Sequence, residues 1–296
     1  MKVRFFTEFF VARLSLKREQ NKNGPFFVDT SCIECGTCYW MAPNTFKSSE
    51  GKSAVYSQPQ NSTEEEEALK ALFSCPTFSI GSSEKKVESY FPFPFGEPED
   101  LVFLTGYHSE KSFGATSYFI QRKDGNILID SPRYLKKMAT KLEKKGGLRF
   151  QYLTHRDDIG DTDSYWKHFQ TQRIIHQDDA TREDLRKYEI QLKGNDSFSL
   201  DDDLEIIPVP GHTKGSSVLL FKNKYLFTGD HLAYSKKLQQ LIAFKNHCWY
   251  NFEEQIKSME KLLQLQFEYV LPGHGAPFHS KQMKKELKKC IDWMKA

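Results

Sequence analysis

Three cysteines, Cys32, Cys35 and Cys38, form a C-x2-C-x2-C run within VDTSCIECGTCYWMAPNTF, and a fourth, Cys75, precedes Pro76 in ALFSCPTFSIG. Three thiolates at that spacing can wrap a tight loop around one corner of an iron–sulfur cubane, with a distant cysteine as the fourth ligand. The proline keeps the backbone at Cys75 off helical geometry, and Gly24 and Gly36 suit the close approach such a loop needs. C-x2-C pairs also bind zinc, but a third cysteine so soon after, and a Cys-Pro step, suit zinc poorly. Cys248, beside His247, and Cys290, on an amphipathic C-terminal stretch, stand apart and read as structural.

A second constellation gathers histidines and aspartates. GNILIDSP ends a strand on Asp130, and YLTHRDDIGD carries His155, Asp157, Asp158 and Asp161. VPGHTKGSS carries His212, YLFTGDHL carries Asp230, and YVLPGHGAP carries His274. Each segment sets a metal-capable side chain just past a strand, near a glycine that permits a tight loop. Imidazole nitrogens are borderline ligands, and a carboxylate such as Asp230 can bridge two cations through its two oxygens. The other histidines singled out, His108, His168, His176, His247 and His279, lack ligand-like spacing and read as core or surface residues.

Two domains are expected to position these groups, since 296 residues is about twice the usual ~150 per domain. Residues 1–24 read as an N-terminal tail. It is basic and a poor secretory signal, though conceivably an organelle transit peptide. Residues 25–91 hold the four cysteines, with Ser62 and Glu65 as a capping box for the helix leading to Cys75. Residues 92–99, with Pro92, Pro94, Gly96 and Pro98, read as a linker. Residues 100–296 alternate strand patterns (SYFIQR, GNILID, RFQYLTH, RIIHQ, LEIIPVP, SVLLFK, KYLFTGD, YVLPGH) with helical ones. The helices expected are PRYLKKMATKLEKKG, TREDLRKYEIQL, NFEEQIKSMEKLLQLQ and SKQMKKELKKCIDWMKA. A net charge of +3, from 42 Lys and Arg against 39 Asp and Glu, argues against a nucleic-acid partner. No apolar run of about 18 residues offers a membrane span.

The stretch from about 25 to 85 resembles the single-cluster bacterial ferredoxins through Cys32-Ile33-x-Cys35-Gly36-x-Cys38, Ala42-Pro43, Phe46 and Cys75-Pro76. The resemblance implies an α+β ferredoxin-like domain. Because Cys35 stands where some members have Asp, it implies a [4Fe-4S] cluster on Cys32, Cys35, Cys38 and Cys75. From about 100 to 280, PGHT-x-GS, TGDH and LPGHG resemble the metallo-β-lactamase superfamily. That implies an αββα sandwich with His155, His212, Asp230 and His274 as ligands to one or two metal ions, zinc or iron, and Asp130 as a buried supporting carboxylate. The second motif departs from the superfamily's His-x-His-x-Asp-His, because Asp157 stands at its second His and the later Asp-His pair is lost or shifted to Asp161-Thr162. Asp157 and Asp161 are therefore the candidates for both metal ligand and proton acceptor.

Three functions follow as expectations. A metal-dependent hydrolase with activity coupled to the cluster's redox state has the superfamily behind it and is preferred. A redox enzyme whose cluster feeds electrons to a non-haem iron site explains the fusion and the acidic second motif. A non-catalytic electron carrier or cluster-based sensor would explain the altered motif. The expected partners are an unidentified small-molecule substrate and an electron-donor or acceptor protein. Cluster thiolates suit a reducing compartment, the cytoplasm or an organelle such as a plastid. The aromatics Tyr234, Phe244, Trp249 and Tyr250 after Asp230 read as core in preference to pocket lining.

Overall fold

The computed structural model describes residues 12–84, 87, 90–97 and 101–296. Around the cysteines, strand β1 (Phe26–Val28) pairs antiparallel with β4 (Ile80–Ser82), and β2 (Phe46–Ser49) with β3 (Lys52–Val55). Between them lie helices α1 (Thr37–Met41) and α2 (Ser62–Ser74). The α2 cap is Asn61, whose side chain accepts from Glu64 N at 2.9 Å. The capping box expected at Ser62 and Glu65 thus starts one residue early, because the amide oxygen of Asn61 already satisfies the first turn. Cys75 ends α2 in extended geometry (φ −62, ψ 118), as the following Pro76 requires.

Of the segment expected to be a tail, residues 1–11 lie outside the described residues. The remainder is packed: Arg18 donates to the carbonyls of Ser53 and Ser49, and the Asn21 side chain pairs with the backbone of Val28 and Val55. A buried Arg and a buried Asn hold this segment down through main-chain hydrogen bonds. Within the expected linker 92–99, whose residues 98 and 99 lie outside the described residues, β5 (Phe95–Glu97) pairs with β6 (Val102–Leu104) as the edge of a large sheet.

That sheet has seven strands. It runs β5 and β6, then β7 (Tyr118–Ile120), β8 (Ile127–Ile129), β9 (Phe150–Tyr152), β10 (Gln172–His176) and β11 (Ile190–Leu192). Pairing is antiparallel up to β8 and parallel from β8 onward. A six-stranded sheet holds β12 (Phe198–Asp201), β13 (Leu204–Pro208), β14 (Ser217–Phe221), β15 (Tyr225–Gly229), β18 (Tyr269–Pro272) and β19 (Phe278–His279). A separate hairpin joins β16 (Ala233–Ser235) to β17 (Gln240–Ile242).

Alternation along the strands explains the layering. Tyr118, Ile120, Ile127 and Ile129 meet Leu219, Phe221, Tyr225 and Phe227 between the sheets. Phe119 and Leu128 face the other way, toward α3 (Lys136–Lys144) and α4 (Thr162–Phe169) through Met138, Leu142 and Tyr165. Val218, Leu220 and Leu226 face α5 (Phe252–Leu262) and α6 (Met283–Lys295). Both sheets are buried on both faces, so their strands read as continuous apolar runs. The result is helix, sheet, sheet, helix. Every strand expected from 100 to 296 is present. The helix expected at TREDLRKYEIQL is replaced by a short 3-10 turn, Leu185–Lys187, and by β11, because Ile190 and Leu192 complete the sheet edge beside β10. Helix α4 was not anticipated.

The two parts share a core. Phe73 of α2 packs on Tyr107 (ring centroids 6.0 Å), and both belong with Phe93, Phe103 and Phe119. Phe227→Ala, at a side chain fully buried between the sheets, should cost about 3–5 kcal/mol by denaturant unfolding; a loss under about 1 kcal/mol would contradict this packing.

Candidate functional site: two groups of metal-capable donors on one cavity

At the cysteine site all six cysteines of the chain are free thiols. Cys32, Cys35, Cys38 and Cys75 line one hollow with Val28, Ile33, Ala71 and Ile80. Cys32 Sγ accepts from the backbone N–H of Glu34 and Ser53 (3.4 and 3.3 Å), and Cys75 Sγ from that of Ser79 (3.2 Å). N–H donors aimed at sulfur stabilise thiolates and tune the potential of a cluster they ligate. Burial pushes the Cys35 thiol up to about 11, and it raises Cys38 and Cys75 too. Ionised ligands here therefore need bound metal to replace their protons.

The second site is built at strand ends. Asp130, past β8 with a left-handed backbone (φ +51), accepts from both the N–H (2.9 Å) and the hydroxyl of Thr154. Thr154 Oγ1 in turn lies 3.0 Å from His155 Nδ1, which leaves His155 Nε2 facing the site. This is the outer-shell pattern that orients a ligating imidazole, and Asp130 lies buried behind Thr154. Asp179 ties the loop of His155 to that of His212, accepting from Arg156 N, Thr213 Oγ1 and Gly215 N. Trp249 and Tyr250 donate their N–H groups to the His212 carbonyl (2.8 and 3.1 Å).

Two groups of donors result, each with its ligand atoms within 4.8 Å of one another: His155, His212 and Asp230, and Asp158, Asp230 and His274. Asp230 belongs to both. Asp157 adjoins the first group from its open side, 3.8 Å from His212 Nε2 and 4.0 Å from His155 Nε2. Asp158 is buried in the second group. A Cβ at Gly273 would lie 2.8 Å from Asp158 Oδ2 and 2.9 Å from Asp230 Oδ1, so only glycine lets both carboxylates in.

Asp161, expected as a ligand and proton acceptor, joins neither group. Its oxygens accept from Lys111 Nζ (2.5 Å) and Tyr134 N (2.8 Å). The chain turns back at Gly160 (φ +46), where a Cβ would come within 1.9 Å of the Ser131 carbonyl, and α4 then starts at Thr162. That turn carries Asp161 out and leaves Asp158 in. Sequence spacing passed over Asp158 as a candidate donor because the superfamily pattern places the second-site aspartate further along; the signal available was a second carboxylate directly after Asp157.

The electrostatics fit a cation. Burial drives His155 down to about 3, and burial together with Asp230 pushes Asp158 well above the usual carboxylate range. Burial raises Asp130 to about 7 against its Thr154 hydrogen bonds. Burial opposes ionisation of Asp230, yet His274, His155 and His212 outweigh it and hold Asp230 low. His274, 2.8 Å from Asp230 Oδ1, is correspondingly lifted to about 10 despite burial. His155 Nε2, both nitrogens of His212 and Asp158 Oδ2 are buried without hydrogen-bond partners. Such atoms are costly alone and suit one or two bound cations.

One open cavity connects the two centres. Glu34, Cys35 and Trp40 from the cysteine loop line it, opposite Asp157, Asp158, His212, Asp230 and His274. Tyr234, Phe244 and Trp249 line it as well, and Trp249 and Tyr250 are exposed. Except for Tyr234, which also packs on the core, the aromatics expected to be core do not pack there: Phe244 and Trp249 face the opening and Tyr250 is exposed, with the 3-10 turn Lys245–His247 and the His212 carbonyl holding the loop.

Residues 28–82 match the family model described as the 4Fe-4S single cluster domain of Ferredoxin I. The fold is similar to that of a metallo-β-lactamase from Pontibacter korlensis (TM-score 0.52, 15% identity, covering 68% of this chain and 97% of that one). DIM-1 metallo-β-lactamase is similar too (0.52, 19%, 67% and 95%), as is BLEG-1 B3 metallo-β-lactamase (0.51, 17%, 66% and 100%). The chain thus joins a single-cluster 4Fe-4S ferredoxin domain to a domain of the metallo-β-lactamase fold. Among the described residues, no helix is long and apolar enough to cross a membrane.

Asp158→Ala should lower the metal bound at the second site by at least one ion per chain, whereas Asp161→Ala should retain the full complement; elemental analysis of both variants decides, and the reverse pattern would sink the Asp158 assignment. Cys75→Ser should abolish visible cluster absorbance and leave second-site metal in place. Loss of both metals together would show that the centres do not load independently.

Proposed function

We propose that the chain is a redox-coupled metalloenzyme, in which a [4Fe-4S] cluster on Cys32, Cys35, Cys38 and Cys75 exchanges single electrons with a two-ion centre. His155, His212, Asp157 and Asp230 would hold one ion, and Asp158, Asp230 and His274 the other. The observation that carries this reading is that Cys35 and five of the second-site donors, Asp157, Asp158, His212, Asp230 and His274, face the same cavity. Hydrolysis has no use for a cluster there. The donor set agrees: three carboxylates with three imidazoles are harder than a histidine-rich set and favour iron or manganese over zinc.

When bound, such ions supply Lewis acidity and, if iron, one-electron chemistry. The rest of the work falls to the chain's own residues. Thr154 and Asp130 fix the ring of His155. Asp157, half exposed at the mouth, is placed to take a proton from a substrate or water near His212. Arg156, Arg182, Lys236 and Lys237 line the cavity with Trp40 and Trp249, which suits a small substrate carrying an anionic group on an apolar body. Electrons would reach the cluster from a partner protein, and thiolate ligands suit a reducing, cytoplasm-like compartment.

A second reading, metal-dependent hydrolysis, is favoured by the fold shared with proteins named as metallo-β-lactamases and by the same half-exposed Asp157 as general base. A purely non-catalytic role is disfavoured by the unpartnered donors kept at the site. The test is iron and sulfide per chain after anaerobic purification. The redox reading expects iron beyond the four of the cluster, with stepwise reduction of both centres. A cluster's worth of iron with zinc at the second site would overturn it in favour of hydrolysis.

A further inference from the structure

We infer that the turn 109–116 is the electronic bridge between the two centres, with Gly114 and Phe113 as its positioning residues; this rests on the redox reading above. Cys35 is the one cluster cysteine that is only half buried, and it is the one that lines the shared cavity. Gly114 (φ +85) is pressed against it. A Cβ at Gly114 would lie 3.0 Å from both Cβ and Sγ of Cys35 and 3.0 Å from Pro76 Cγ. The Gly114 carbonyl accepts from His108 Nδ1 (2.8 Å) and from Thr37 Oγ1 (3.3 Å), and Thr37 Oγ1 lies 3.5 Å from Cys35 Sγ.

The same turn grips the second site at three points. The ring of Phe113 lies 6.2 Å, centroid to centroid, from that of His274. Ser112 Oγ accepts from Gly160 N at 2.9 Å, next to the loop of Asp157 and Asp158. Thr116 N donates to the Gly273 carbonyl at 2.7 Å, beside His274. Phe113 is also held in left-handed backbone geometry (φ +48) while its side chain is 54% exposed. A bulky residue in that region costs on the order of 1–2 kcal/mol. Packing of the ring in a core does not explain it, since the ring is open to the cavity. Strain held in place by its surroundings in this way points to a positional demand.

With both groups bound, a reduced cluster held by Cys32, Cys35, Cys38 and Cys75 would supply one electron and a ferric ion held by Asp158, Asp230 and His274 would accept it, with no bond formed or broken; Gly114 and Phe113 are the residues of this chain set between them. The polypeptide's part is to keep the gap short and filled.

The test uses the full chain carrying both the cluster and ferric iron at the second site. The cluster is reduced by a light pulse with a photoreductant, and its visible absorbance is followed as it reoxidises. Asp230→Ala, which should lack second-site iron, sets the background. Gly114→Ala, which forces the turn away from Cys35, should slow reoxidation several-fold, and Phe113→Ala, at an exposed side chain, should slow it too, with iron and sulfide content unchanged. If Gly114→Ala loses its cluster, Phe113→Ala decides. Reoxidation at the wild-type rate in metal-replete Phe113→Ala overturns the bridge. If the wild-type chain reoxidises no faster than the Asp230→Ala background, the redox reading itself fails and the bridge falls with it.

Discussion

Three carboxylates lie deep on one edge of the sandwich, those of Asp130, Asp158 and Asp230, with the half-exposed Asp157 beside them. Like charges at such depth cannot all ionise unaided. The protein answers with His274 locked to Asp230, with a Thr154 clamp on Asp130, and with burial that, together with Asp230, raises the Asp158 carboxyl well above the usual range. Much of the surrounding architecture serves to hold this unfavourable arrangement. Gly229 lets Thr154 approach, Gly273 lets two carboxylates meet, and Gly160 folds the chain away before Asp161 can enter. Cations placed between the two donor groups turn repulsion into cohesion.

The same constraint bears on how the domains are joined. A cluster domain tethered only by a linker would sample many distances from the second site. Here Phe73 enters the core of the large sheet, Arg133 donates to the Cys75 carbonyl, and Lys236 donates to the Trp40 carbonyl across the cavity. These contacts set the cysteine loop against the turn 109–116. Geometry of this kind suits a fixed exchange distance, and the half-buried position of Cys35 follows from it.

Much of this was legible in the residues. The cysteine spacing and Cys75-Pro76 announced the cluster domain, and apolar runs ending in Asp, Gly or His announced each strand from β7 to β18 that carries the site. The errors have local causes. TREDLRKYEIQL has helical spacing, but the unpaired edge of β10 recruits Ile190–Leu192 into the sheet. Asp161 was favoured over Asp158 because counting along a motif assumes its loop length, and the turn at Gly160 shortens that loop. Nothing in the sequence pattern places Gly114 against Cys35, since that contact spans 79 residues and arises only when both domains are packed. Asn21 and Arg18 looked like tail residues because their partners are backbone groups with no side-chain signature.

The central claim is that one cavity is walled by two metal centres. Anomalous diffraction from crystals of anaerobically purified protein, collected at the iron edge and above and below the zinc edge, tests it most directly. The account predicts one strong iron peak among Cys32, Cys35, Cys38 and Cys75, and a second metal signal between His155, His212, Asp158, Asp230 and His274, with the turn 109–116 between them. A cluster peak alone, with these five second-site donors bound to no metal, would contradict it.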